Sequence, residues 1–302
     1  MNPKRMIGSI VFLSAVLIAA AEPFSFVRPV KPSESFRCSV LIRQSAQYSF
    51  HVPGTEQPQV KLNSLQADFN GYLTVLQVNA SGSPERIRLR ADRFSGSVNG
   101  RQIKSDLPRG AVIEGDLTHG RTEFFLDGKA LDPDLQLLFA HLFPPASDGS
   151  LADLTGRSRI LPKPGGGWQP DLTAFIKMLG RRRVRLAPSS FRSGITYHGP
   201  ERIGKLSCRK FSILIETMKL ADYDCRFKFT FSLAPSGPPV RSVRDVTEVI
   251  HQIIRSEHPF AAGTRIELVN QDHTESSLLP VKSVPPLKGE QKKLGLWESL
   301  LH

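Results

Sequence analysis

Apolar and polar residues alternate with a period of two along much of this chain, the spacing of a strand with one dry and one wet face. Phe36, Cys38, Val40 and Ile42 fall on one side of such a strand and Arg37, Ser39 and Arg43 on the other, with Leu41 the exception. Tyr48, Phe50 and Val52 repeat the pattern, and Ile87, Leu89 and Ala91 alternate with Arg86, Arg88, Arg90 and Asp92. The clearest run sets Cys225, Phe227, Phe229, Phe231 and Leu233 against Arg226, Lys228, Thr230 and Ser232. One-sided strands belong to antiparallel sheets, since parallel sheets are covered on both faces. Asn99-Gly100 and His119-Gly120 are turn signals between strand-like runs and predict consecutive hairpins from about residue 86 to 126. Lys210 to Lys219 and Asp224 to Leu233 predict another.

Helical spacing is rarer. Asp132 as N-cap, Pro133 at the first helical position and a stripe of Leu135, Leu138, Phe139 and Leu142 predict one helix, ended by Pro144-Pro145. A shorter helix is expected from Pro170 to Leu179. Ser242 with Asp245 three residues on opens the strongest helical pattern, in which Val243, Val246, Val249, Ile250, Ile253 and Ile254 keep their spacing until His258-Pro259. The expected class is α+β and β-dominated: a curved antiparallel sheet or half-barrel with a few helices packed on its apolar face.

The two ends of the chain read differently from its body. Lys4 and Arg5, the apolar stretch from Met6 to Ile18 and Ala19-Ala20-Ala21 before Glu22 have the form of a cleavable export signal over residues 1–21. An exported chain, periplasmic or secreted, is therefore expected. Residues 22–279 read as a β-rich domain, and the loop-like stretches at 144–149 and 162–167 allow a division into two halves near residue 150. A short echo, SVLI at 39–42 and SILI at 212–215, points the same way. From Pro280 the periodicity fades into what reads as a mobile basic tail, residues 280–302.

Charge adds a preference for acidic partners. The chain carries 40 Lys+Arg against 28 Asp+Glu, a formal charge of +12, of which Lys4 and Arg5 belong to the leader. Arg86, Arg88 and Arg90 project from one strand face and Arg181, Arg183 and Arg185 from a second run. If neighbours, they would form a guanidinium plate for phosphate or carboxylate. The alternative is a wet face whose arginines pair with nearby carboxylates. Neither run has the interleaved aromatics of a single-strand nucleic-acid site. In the tail, Leu294, Trp297, Leu300 and Leu301 form a short amphipathic segment suited to a membrane surface, a partner groove or the chain's own domain.

Catalytic signals are weak. Gly199 to Leu206 approaches the phosphate-loop pattern G-x-x-x-x-G-K-[ST], but Leu206 stands where the hydroxyl is needed, and the segment reads as a turn. There is no H-E-x-x-H and no G-x-S-x-G, so no catalytic, cofactor or metal residue is nominated. Cys38, Cys208 and Cys225 are too few for a disulfide framework. In the expected hairpin, with its turn near residues 220–223, Cys225 faces Met218 and Cys208 lies roughly 30 Å farther along, so buried free thiols are expected.

The succession TVLQVNASGSPERIRLRADRF, NG, LPRGAVIEGDL, TEFFLDGKALDP and LFAHLFPP, with GITYHGPERIGKLSCRKFSILIE later, resembles a group of exported bacterial β-rich proteins of unknown function over roughly residues 36 to 235. The resemblance rests on glycines, prolines and strand spacing. It implies an envelope-located β protein and supplies no activity. By architecture alone the expected fold is similar to periplasmic lipoprotein and lipid carriers, whose half-barrel shelters an acyl chain. The leading expectation is a non-enzymatic envelope protein that binds an apolar ligand or a protein or lipid partner. The alternative is an assembly factor that holds acidic envelope components on a basic sheet face, and a cryptic hydrolase stands third.

Overall fold

The structure is a computed structural model that describes residues 23–104, 107–118, 122–145, 151–179, 186–218, 220–254 and 261–286. In chain order its elements are β1 (Phe24–Ser25), β2 (Ser35–His51), β3 (Gln59–Val78), β4 (Pro84–Val98), β5 (Arg101–Ile103), β6 (Val112–Asp116), β7 (Glu123–Leu126), β8 (Lys129–Ala130), α1 (Pro133–Leu142), α2 (Leu151–Thr155), β9 (Ser158–Arg159), β10 (Gly167–Trp168), α3 (Leu172–Leu179), β11 (Phe191–Ile203), β12 (Leu206–Thr217), β13 (Tyr223–Leu233), β14 (Arg241–Ile253) and β15 (Arg265–Val281). Among the described residues, thirteen strands form one antiparallel sheet in the order β10-β11-β12-β13-β14-β15-β2-β3-β4-β6-β7-β8, with β5 beside β4. The chain is α+β and β-dominated, a curved, unclosed antiparallel sheet with, among the described residues, three α-helices packed on its apolar face.

This order places the first long strand against the last. β15 pairs with β2 from Arg265↔His51 to Val281↔Ser35, so the centre of the sheet joins the two ends of the fold. Following the register outward shows that one face carries both apolar clusters. Cys38, Val40 and Ile42 lie opposite Gly71, Phe69 and Ala67, and this side continues to Leu89 on β4 and Ile113 on β6. There it meets Leu135, Leu138, Phe139 and Leu142 of α1. On the other flank Ile195, Ile213, Phe229 and Arg244 are successive cross-strand neighbours, and this half of the same face meets α2 and α3 through Leu154 and Phe175. Two lobes thus share one covered face.

Local chemistry explains how each lobe is built. Asp132 accepts a hydrogen bond from the Asp134 backbone N–H (2.9 Å), and Pro133 begins α1, as its sequence predicts. The Gln136 side chain exchanges two hydrogen bonds with the Phe124 backbone (2.6 and 2.9 Å) and so ties α1 to β7. At Gly96 a Cβ would lie 2.5 Å from Leu138 Cδ1, so the sheet lacks a side chain where Leu138 of α1 packs. Phe139 stacks on Phe94 with centroids 4.8 Å apart, and in the other lobe Phe211 stacks on Phe231 at 5.4 Å. Phe26, directly after β1, packs edge-on against Phe211 at 5.3 Å and brings the start of the described chain into the second core.

Most turn readings hold. Asn99 and Gly100, with φ of 51° and 75°, link β4 to β5 in the left-handed conformation such hairpins require. β6 and β7 pair as expected, although His119 and Gly120 lie outside the described residues. The near phosphate loop is a hairpin turn: Ile203 pairs with Leu206 around Gly204-Lys205. The three cysteines are buried, and none of them forms a disulfide among the described residues. Burial pushes the Cys38 thiol up to about 12, against a small opposing effect of Arg37. Burial, with the Glu201 charge, also raises Cys208.

The sequence reading of the strongest helix is overturned. Residues 241–253 form β14, paired along its whole length with β15 and over ten residues with β13. Its covered face carries Ser242, Arg244, Val246, Glu248 and Ile250, and its open face Val243, Asp245, Thr247, Val249 and His251. Both faces are mixed because β14 lies under the gap between the helical covers. The period of two disappears, and the valines and isoleucines fall by accident at helical intervals. A smaller offset concerns Cys225. Its backbone N–H bonds to Thr217 Oγ1 (2.9 Å), so it faces Thr217 and not Met218.

Candidate functional site

Between the lobes the covered face turns polar. The cross-strand row from β13 to β2 reads Phe231, Ser242, Ser276, Val40 at one level and Phe229, Arg244, Thr274, Ile42 at the next. It then reads Phe227, Val246, Asp272, Gln44 and finally Cys225, Glu248, Asn270, Ala46. Apolar side chains hold both ends of these rows except at Gln44, while the middle positions on β14 and β15 are mainly polar.

These central groups hydrogen-bond across the strands. The Ser242 and Ser276 hydroxyls are 2.7 Å apart. Arg244 Nη2 donates to Asp272 Oδ2 (2.9 Å), and Thr274 Oγ1 donates to Asp272 Oδ1 (3.1 Å). Glu248 is only 2% exposed; its carboxylate accepts from the Tyr223 hydroxyl (2.8 Å) and from Asn270 Nδ2 (3.1 Å). A buried carboxylate needs such donors, since burial without them costs several kcal/mol, on the order of the desolvation of a charge. Arg244 Nε is buried and has no hydrogen-bond partner among the described residues.

A cleft of about 460 Å³ opens over this floor. α1 supplies Leu137 and His141 to one wall, and β2 and β3 supply Gln44, Asn63 and Leu65. Val246, Glu248, Asn270 and Asp272 come from the two central strands, and Asn99 from the β4–β5 turn. Burial lowers the His141 pKa, with the Asp272 carboxylate acting in the opposite direction, so the imidazole is neutral near pH 7. Gln44 and Asn63 have no side-chain hydrogen bond to any described residue. Asn99 uses its Oδ1 to accept from the Ser64 N–H (2.9 Å).

On the opposite, open face the arginine stripe is engaged. Arg88 meets Glu114 at 2.7 Å, and Arg86 lies 3.8 Å from the same carboxylate. Arg90 lies 3.8 Å from Asp92, donates to the Pro285 carbonyl and sets its guanidinium 4.5 Å from the Tyr72 ring centre. Arg37 joins this cluster, 4.8 Å from the same ring and paired with Asp92. Arg181, Arg183 and Arg185 lie outside the described residues, as do Leu294, Trp297, Leu300 and Leu301 and the leader. Pro280 and Val281, placed by sequence in the tail, belong to β15.

A second polar cluster occupies the open face beneath the cleft. His273 bonds through Nδ1 to Asp245 (2.6 Å) and through Nε2 to Glu275 (3.0 Å), and its register partner on β2 is Arg43. The hydrogen bond to Asp245, then that to Glu275, raises the imidazole pKa.

None of the cleft residues was nominated from sequence. The one available signal was negative: β14 and the first half of β15 break the alternation that governs their neighbours. No protein-family model matches the chain, and no curated protein matches it.

Proposed function

We propose that this is an exported, non-enzymatic binding protein that holds a polar ligand in the cleft between the two lobes of its sheet. The observation that carries the reading is the pair of uncommitted amides, Gln44 and Asn63, in a cleft whose volume suits a small ligand, roughly 300–1,000 Å³. Both amides are half-buried, so they are free to exchange the water that meets them for hydrogen bonds to a ligand. Binding rather than catalysis is favoured because Glu248 and Asp272 are already held by donors. The apolar carrier has less support: phenylalanine rings pack directly on one another in both clusters. The basic-face alternative would require a polyanion to displace Glu114 and Asp92 from the stripe.

Native mass spectrometry of the protein isolated from its own source tests this. The expected result is a retained polar small molecule that is absent from the Gln44→Leu/Asn63→Leu double variant. Retention by the double variant would remove the cleft from the account, and a retained acyl lipid would return the ligand to the apolar class.

A further inference from the structure

Resting on that reading, we infer that the ligand is a neutral saccharide, hydrogen-bonded by the cleft amides with one sugar ring laid against Tyr48. The groups of the cleft that are left open to a ligand are neutral, while its two carboxylates are already held by neighbours. Gln44 and Asn63 each present both a donor and an acceptor, and neutral His141 does the same. Asp272 is neutralised by Arg244, and Glu248 accepts from Tyr223 and Asn270. Vicinal hydroxyls match this set, because each hydroxyl also donates and accepts. A phosphate or carboxylate ligand would instead face two carboxylates, and an acyl chain would leave the amides unpaired.

The second observation lies one pleat farther along the covered face. Tyr48 follows Ala46 on the same side of β2, and its ring is parallel to that of Phe50, at 10° and 6.4 Å between centroids. Leu268 and Ile266 on β15 lie opposite these two residues. Amides beside a pair of parallel aromatic rings match the two sides of a sugar ring, a rim of hydroxyls and a face of C–H groups. Lys61 on β3, opposite Tyr48, supplies one more donor at the margin.

The test is an NMR titration of the whole folded chain with maltose, cellobiose and N,N′-diacetylchitobiose, with a lysophospholipid as the amphiphile control. At least one saccharide is expected to give saturable shifts that include the side-chain amides of Gln44 and Asn63. Asn63→Leu and Tyr48→Leu, the latter keeping apolar bulk without a flat ring, should each weaken that binding about tenfold or more. Dispersed amide spectra of both variants would show that they still fold. The inference falls if none of the sugars gives a saturable shift, if binding ignores both substitutions, or if only the lysophospholipid binds. Should a different polar molecule be retained in the native spectrum and released by the Gln44/Asn63 change, the saccharide is overturned while the polar cleft stands.

Discussion

Phe231 and Thr230 are adjacent in sequence and opposite in environment. Phe231 is 1% exposed and stacks on both Phe211 and Phe229, whereas Thr230 lies on the open face. Phe231→Ala should therefore cost about 3–5 kcal/mol in chemical denaturation and Thr230→Ala under about 1. Equal costs would contradict a sheet covered on one side. The arginine stripe divides in the same way. Arg88 is half exposed, and Arg88→Gln should cost under about 1 kcal/mol. Arg90 is 14% exposed on its side chain and holds Asp92, Pro285 and the Tyr72 ring at once, so Arg90→Gln should cost about 1–3 kcal/mol. The alternation around Ile87 and Leu89 shows that both arginines face away from the core. Which of them is tied down depends on the β3–β4 register and the chain after β15, and neither has a local signature.

Elements with one covered and one open face were legible, and those beneath the gap between covers were not. The alternation of β2, β4 and β13 survives because helices or aromatic clusters dry one side only. β14 loses it because neither side is dry, and with it goes any view of the cleft, whose lining comes from β2, β3, β14, β15 and α1. The α1 stripe and cap were readable since they are local, but the packing of α1 over Gly96 was not. The β14–β15 pair also carries the clearest pH dependence. His273 has its pKa raised above its ordinary value of about 6.5, so its contribution to stability is complete below that pH and is lost as pH rises through the folded-state value. His141 acts in the other direction: burial lowers its pKa, and its neutral form loses its advantage as pH falls through about 6.5. His273→Gln should therefore lower the thermal midpoint on the acid side and converge on the parent above the folded-state pKa. A uniform loss at every pH would mean that the contacts of His273 with Asp245 and Glu275 do not depend on its charge.

At the scale of the molecule, the two lobes share one continuous sheet. The division near residue 150 separates the two helical covers, but β14, β15 and β2 run as long continuous ladders between the cores. Near-ultraviolet circular dichroism and far-ultraviolet ellipticity should accordingly report a single coincident unfolding transition, and two resolved midpoints would show independent halves. The pairing of β15 with β2 has a further consequence in time. Residues 35–51 are synthesised long before residues 265–281, so β2 lacks one of its two neighbours until β15 has been made. Until then β2 presents a long unsatisfied edge, the condition that invites pairing with other chains. A factor that keeps the newly made chain extended until β15 is available would suppress that misassembly.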